Sequence, residues 1–403
     1  MLKRYIKDNE TDANDVLFSG LIGHAISRAR MLVKKNPNDY DEKILTVKSG
    51  TVFPILSGGT WKTFIVDGDT DISESDLDGG GSFIVGTDYS VFCIDDGANG
   101  QLKISPNSTY PAGASADNSL KFAGFHYGHV RKVSSDGLFI PVDSLDVHFG
   151  AGPVNWKDNV AVGIVPNSIW DLVNRPSSDP EGMVKVGNIW VDIYEASAAE
   201  PISFEASQNG QFVAGGKLQS KYGMIPVTGS EGCNQYAFNE LATRSGKRLL
   251  TLAEWEKAAY GNPGGEDAAD NYGWTKTSNG ARARTGCRVN PSTGVYDAVA
   301  GIKPYAISAF NIVDAVGNVM EWLDNCFLRW GTTGSFSWRN VLNAGGADNK
   351  GQIYATDDAN PGVALAGGGW GRGVGCGPRA VYLSYYARSM NTLNGVRLAC
   401  DNL

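Results

Sequence analysis

The final stretch of the chain, Leu365 to Leu403, separates into two interleaved sets of residues. Trp370, Pro378, Arg379, Val381, Leu383, Val396, Arg397, Leu398 and Cys400 have the character of framework: apolar residues at period two, a Pro that fixes φ, and Arg with its fork of donors. Between them lie Gly369, Gly371, Arg372, Gly373, Gly375, Tyr382, Ser384, Tyr385, Ser389, Asn391, Leu393 and Asn394, which share no chemical theme. A catalytic site needs converging acid, base or nucleophile pairs, and this stretch offers none. It reads as a contact surface.

Strand geometry sharpens that reading. In Ala380-Val381-Tyr382-Leu383-Ser384 the alternation of faces predicts Val381 and Leu383 inward and Tyr382 and Ser384 outward. Outward Tyr and Ser beside a Gly-rich loop is the composition of a paratope, where Tyr supplies broad amphipathic area and Ser, Gly and Asn adapt. Composition alone also fits half-buried strand tyrosines and ordinary turn glycines.

The run Gly367-Gly368-Gly369-Trp370, then Pro378-Arg379-Ala380, then Asn394-Gly395-Val396-Arg397 resembles the carboxyl-terminal signature of the C-type lectin fold of the formylglycine-generating-enzyme type. Within that fold it is similar to the variable proteins of diversity-generating retroelements, including Cys400-Asp401 near the end. Two earlier motifs fit the same broad family: Gly246-Lys247-Arg248-Leu249 with Thr251, Glu254-Trp255-Glu256 and Ala258-Ala259, and Val316-Gly317-Asn318-Val319-Met320-Glu321-Trp322.

The resemblance covers the second half of the chain. It implies a C-type lectin domain over 183–403 with a variable region at 365–403, whose mutable side chains form a receptor-binding surface. Mutagenesis at adenines of Asn codons reaches Gly, Arg, Tyr, Ser, Leu and Asn, the types found at the twelve mixed-chemistry positions above, and these are the candidate ligand-binding set. The implied partner is a host cell-surface receptor, protein or glycan. The implied assembly is a homotrimer at the tip of a phage tail fibre, made in the host cytoplasm and carried in the virion. A cellular variable protein for ligand binding is the alternative, but that route calls for a secretion or lipid signal. A second alternative is the oxidase of the same family, which resembles this chain in fold but holds copper with paired cysteines. Here Arg372 stands at the position resembling the first ligand and Cys376 has no second Cys nearby, so no enzyme activity is expected. No cofactor is required, while Glu321 resembles a position that helps bind structural calcium in some family enzymes, and a Glu paired within the fold accounts for it equally.

The rest of the chain predicts an α+β protein in which the lectin domain follows an antiparallel β domain and an amino-terminal helix. Val16, Leu17, Leu21, Ile22, Ala25, Ile26, Ala29 and Leu32-Val33 recur at helical spacing over Asp15 to Lys35, inside an amino-terminal segment 1–43. Residues 44–149 read as short strands, at 44–47, 51–56, 63–66, 82–85, 90–94 and 138–142. The prolines of Asn174 to Pro180 mark 150–182 as linker. From Met183 a strand pair opens the last domain, followed by helices at Tyr236–Arg244 and Thr251–Tyr260, with Thr251 and Glu254 forming a capping box.

Charge and cysteines narrow the partners. The net charge is −8 without a basic cluster, so nucleic acid is not expected. The amino terminus has no apolar signal core and no run spans a bilayer, which excludes membrane insertion as an expectation. Six scattered cysteines without a C-x-x-C pair read as reduced thiols. Asp67, Asp69, Asp71 and Asp78 imitate a calcium loop but Ile72 occupies the Gly position, His126 and His129 lack a third ligand, and the sequon at Asn107 has no secretory route; each reads as structural.

Overall fold

A computed structural model describes residues 3–5, 30–132, 160–205, 212–262, 282–286, 288–289, 296–297, 307–328, 337–340, 352–355, 361–370, 372 and 376–403. The chain divides into two compact units. One holds the described residues of 1–139, 161–181 and 402–403, and the other those of 140–160 and 182–401.

The first unit is built of strands. β1 (Val52–Ser57) and β2 (Thr60–Ile65) form a hairpin, with Lys3–Tyr5 added antiparallel to β2. The principal sheet runs β6-β5-β3-β4, from β3 (Thr87–Asp95), β4 (Gly100–Ser105), β5 (Ser119–Arg131) and β6 (Val160–Ile164), with β7 (Trp170–Asp171) also against β5. Its core is aromatic: Phe83 lies 4.9 Å from Tyr89, 5.4 Å from Phe125 and 5.3 Å from Tyr127, ring centre to ring centre. The stretch read as linker supplies β6 and β7, because Trp170 caps β5 where a side chain is forbidden. A Cβ on Gly124 would sit 2.6 Å from the Trp170 indole nitrogen.

The expected helix is not continuous to Lys35. Leu32–Lys34 is a strand paired with Leu45–Val47, fixed where the Met31 amide donates to Asp171 at 2.9 Å and Arg30 donates to the Ile169 carbonyl at 3.0 Å. Tertiary pairing overrides the local period there. Residues 15–29 of that expectation, and the strand expected at 138–142, lie outside the described residues. The segment 82–85 buries Phe83 without joining a sheet, while β5, whose aromatics are interrupted by two Gly and two His, is not among the expected strands.

In the second unit, β8 (Met183–Val186), β9 (Ile189–Asp192), β12 (Arg248–Leu249) and β17 (Leu398–Asp401) form a sheet ordered β8-β9-β17-β12. β10 (Ala196–Phe204) and β11 (Val213–Ser220) form a separate ribbon. The sheet carrying the candidate surface is ordered β15-β14-β13-β16, from β13 (Met320–Leu328), β14 (Pro361–Ala366), β15 (Val381–Tyr386) and β16 (Asn394–Gly395). Helix α1 (Gln235–Arg244) is capped by Asn234, and α2 (Leu252–Ala258) starts at the Thr251–Glu254 capping box. Trp255, Ala258 and Ala259 are buried as their spacing required. Strands dominate and α1 and α2 are the α-helices among the described residues, so the architecture is mostly β rather than α+β. None of the helices among the described residues is long and apolar enough to cross a membrane.

Candidate functional site

Behind the candidate surface lies a buried charged cluster that joins the sequence motifs. Arg397, fully enclosed, donates to Glu321 Oε1 from Nε at 3.0 Å and from Nη2 at 2.9 Å, and to the carbonyls of Asp192, Ile193 and Val313 at 3.0, 2.6 and 2.7 Å. The Trp255 indole donates to Glu321 Oε2 at 2.6 Å, and Lys247 donates to Asp192 at 2.5 Å. Glu195 accepts from Asn318 Nδ2 and from the Val319 amide, and Asp314 accepts from the Gly286 amide at 2.6 Å. Asp314 and Asn318 sit in the left-handed region, at φ 58° and 47°, which Asp and Asn tolerate best among residues other than Gly.

Burial governs the charges in this cluster. It raises the Glu195 carboxyl well above its usual range, with repulsion from Asp314 adding to it, and pushes Asp314 up to about 6 against the pull of the Gly286 amide and Arg397. Burial likewise raises Asp192 and Glu321 despite their cationic partners. Burial opposes the Arg397 charge, but Glu321 and Glu195 outweigh it and its pKa is raised. Both Glu321 oxygens accept from protein donors, and Arg397 beside them already supplies a compensating positive charge.

The candidate surface is set by an irregularity in β15. Val381 pairs with Ala366 and Tyr382 with Leu365, but Tyr385 pairs with Val363, so three steps along β15 match two along β14. This bulge changes the phase of the strand. Tyr382 and Tyr385 both lie half-buried against the core of the unit, and Tyr385 meets Trp322 edge-on at 6.2 Å. Leu383, expected inward, is 53% exposed beside exposed Ser384, while Val381 is half-buried. The alternation read from the sequence therefore fails at Leu383, while Tyr382 is half-buried like Val381.

Three segments meet over these tyrosines. The Arg372 guanidinium lies 5.3 Å from the Tyr382 ring centre and donates to Tyr385 Oη at 3.2 Å. The Asn391 amide donates to the same hydroxyl at 3.4 Å. Asn391 is held in its turn by backbone: its carbonyl accepts from Gly229 at 3.0 Å and from Asn394 at 3.0 Å, and its side chain accepts from the Leu393 amide at 2.9 Å. A Cβ on Gly229 would lie 2.2 Å from the Asn391 nitrogen, which leaves only glycine at that contact. The supporting turn, Gly229–Glu231, has its own capping box from Thr228 to Glu231, and Arg282 pairs with Glu231.

The twelve expected contact residues thus fall into groups. Arg372, Tyr382, Tyr385 and Asn391 are brought together, and Ser384 stands exposed on the same strand. Ser389 and Leu393 are half-buried; the Ser389 hydroxyl accepts from the Tyr386 amide at 3.2 Å, and Leu393 packs over Gly369. Gly369 and Asn394 are buried and present no surface. Gly371, Gly373 and Gly375 lie outside the described residues. The reading missed Leu383, Met390, which is 49% exposed, and the Gly229 turn. Of these, only the turn had a sequence signal, in its Thr-x-x-Glu box.

The cysteine nearest this surface is chemically quiet. Cys376 is buried, its thiol donates to the Gly369 carbonyl at 3.4 Å, and burial pushes its pKa up to about 12 against the pull of Arg372. It is a free cysteine, and a thiol so placed stays protonated near neutral pH.

With this geometry in hand, comparison with known proteins is informative. The family model described as sulfatase-modifying factor enzyme 1-like domain matches residues 182–402, and the model described as Mtd second domain matches residues 36–151. Solved structures of Major Tropism Determinant variants share the fold. The M1 variant aligns at a TM-score of 0.63 with 22% identity over 93% of this chain and 84% of its own. The U1 variant gives 0.62 with 22% identity over 93% and 84%, and the P3c variant 0.61 with 21% identity over 94% and 88%. Among curated proteins, none matches.

Proposed function

This chain belongs to the family of the sulfatase-modifying factor enzyme 1-like domain, and from that premise we propose that it uses the fold for recognition: a receptor-binding protein with a variable surface, acting in host attachment. One observation carries the reading. Arg372, Tyr382, Tyr385 and Asn391, from three separate stretches of the chain, gather on one accessible face, while the elements beneath them are locked by buried hydrogen bonds. Small and aromatic side chains of mixed chemistry on a rigid support form an adaptable contact surface. An oxidase of this fold would need paired soft thiolates, whereas Arg372 stands where the partner of Cys376 would be and the Cys376 thiol donates to the Gly369 carbonyl.

On this reading the surface comprises Arg372, Tyr382, Leu383, Ser384, Tyr385, Met390 and Asn391, needs no cofactor, and acts in a homotrimer at the tip of a phage tail fibre. Several copies on one particle would convert weak individual contacts into firm adhesion. Similarity in fold to the Major Tropism Determinant variants supports this assignment over the cellular alternative. The test is direct: particles carrying Ser384→Arg should lose adhesion while the purified variant keeps the wild-type melting temperature. Adhesion unchanged by Ser384→Arg and by Leu383→Asp would refute the assignment. The coding stretch for 365–403 should also have a near-copy in neighbouring DNA that differs mainly at adenines.

A further inference from the structure

The charge of the last stretch is opposite to that of the whole chain. The chain carries −8 overall, yet 365–403 contains four Arg and one Asp, a local +3. Of these, Arg397 is buried on Glu321, and Asp401 lies at the end of β17 beside Arg248. Arg372 and Arg379 are exposed and Arg388 is half-buried over the Tyr386 ring at 5.7 Å. In the turn that supports Asn391, Glu231 is already engaged by Arg282 and Thr228.

Arg372 is also prepared for a partner. Its guanidinium is stacked near Tyr382 and anchored by one donor to Tyr385 Oη, so its orientation is set before any ligand arrives. A planar guanidinium offers five N–H donors in a fork that matches a carboxylate, and the structure assigns one of them to Tyr385. Exposed apolar side chains adjoin the residues that meet at Arg372 along the chain: Leu383, next to Tyr382, is 53% exposed, and Met390, next to Asn391, is 49% exposed. Arg372 lies over the Tyr382 ring and Trp322 meets Tyr385 edge-on, so part of the tyrosine surface on which a sugar ring would stack is already taken.

We propose that the receptor feature this surface takes is an acidic protein segment, an Asp or Glu carboxylate received by Arg372 with adjoining apolar side chains covering Leu383 and Met390. This rests on the contact-surface reading above and specifies its ligand.

Selection from a random peptide library against the immobilised full-length protein tests it. The enriched peptides should carry Asp or Glu beside apolar residues, bind at least about tenfold more weakly to Arg372→Gln, and weaken further as salt is raised. Selection on Arg372→Glu should enrich Lys or Arg instead, and both variants should melt with the wild type because Arg372 is exposed. Heparin and polysialic acid serve as the acidic-glycan arm. Binding of these that depends on Arg372, with no acidic peptide enriched, would overturn the proposal in favour of a glycan. Enriched peptides lacking Asp or Glu, yet sensitive to Ser384→Arg, would overturn the charge assignment while leaving the surface in place. Peptides insensitive to Arg372, Ser384 and Leu383 substitutions, or no enrichment at all, would remove the surface itself and the proposal with it.

Discussion

The buried cluster around Arg397 should make the second unit more stable in mild acid than at neutral pH. In the unfolded chain Asp314 titrates near 3.8, while in the fold burial holds it at about 6. Between these values the folded state binds a proton that the unfolded state does not. The associated stability is therefore fully present below about 4 and lost as pH rises through about 6. A shift of about two units corresponds to ~3 kcal/mol lost at pH 7, of which roughly half returns at pH 5. Glu195 is raised in the same sense, by burial and by repulsion from Asp314, and adds to the effect. Glu254, held down chiefly by Arg248, loses its contribution only below the ordinary Glu range and does not act in this window. The assay is thermal unfolding followed by fluorescence of the buried Trp190, Trp255 and Trp322 from pH 7 to pH 5. For a unit of this size the gain is a rise of roughly 3–6 °C. Asp314→Asn keeps an acceptor for the Gly286 amide and tolerates φ 58°, so it should raise the pH 7 melting point and flatten the profile. A melting point that falls between pH 7 and pH 5, or a profile unchanged by Asp314→Asn, refutes the reasoning.

Three other perturbations follow from the same contacts. Gly229→Ala, whose Cβ would lie 2.2 Å from the Asn391 nitrogen, should displace the 390–391 turn, costing about 1–3 kcal/mol in denaturant unfolding and a larger factor in receptor binding. Arg397→Met leaves Glu321 buried without its cation and three carbonyls without a donor, and should lower unfolding free energy by about 3–5 kcal/mol, with adhesion lost only through unfolding. Replacing Tyr382 and Tyr385 together by Ala removes two half-buried rings from the core edge and should cost roughly 2–4 kcal/mol, so binding by this variant is interpretable only below its lowered melting point.

The parts of the second unit that sequence reasoning located are those fixed by local chemistry. Thr251 and Glu254 announce the start of α2 because a capping box is satisfied within one turn. Trp255, Glu321 and Arg397 were recognisable as motif residues, but that they bond to one another is a property of the assembled unit. The outward set failed where pairing across strands decides. Leu383, expected inward, is exposed where β15 shifts register against β14 just beyond Tyr382, and nothing in the order of residues 380–386 encodes the partner strand. Asn394 is expected at the surface as one of the mixed-chemistry positions of the variable stretch, yet its place beside Met320 in a parallel pair encloses it. The first unit shows the same limit: Leu32–Lys34 has helical spacing upstream and a strand partner 11 residues later, at Leu45–Val47, and the partner prevails.

The stretch between Tyr382 and Asn391 is pinned at both margins. On one side β15 is laddered to β14 through Val381 and Tyr382, and on the other β16 is laddered to β13 with Arg397 locked two residues beyond Gly395. The exposed side chains between these pins, Leu383, Ser384 and Met390, are exchangeable, but the number of residues should not be, since one more or one fewer would strain the register that holds Arg397 on Glu321. Diversity at this face is thus confined to swapping letters in a line of fixed length, and natural relatives that bind differently should vary in spelling here while never varying in count.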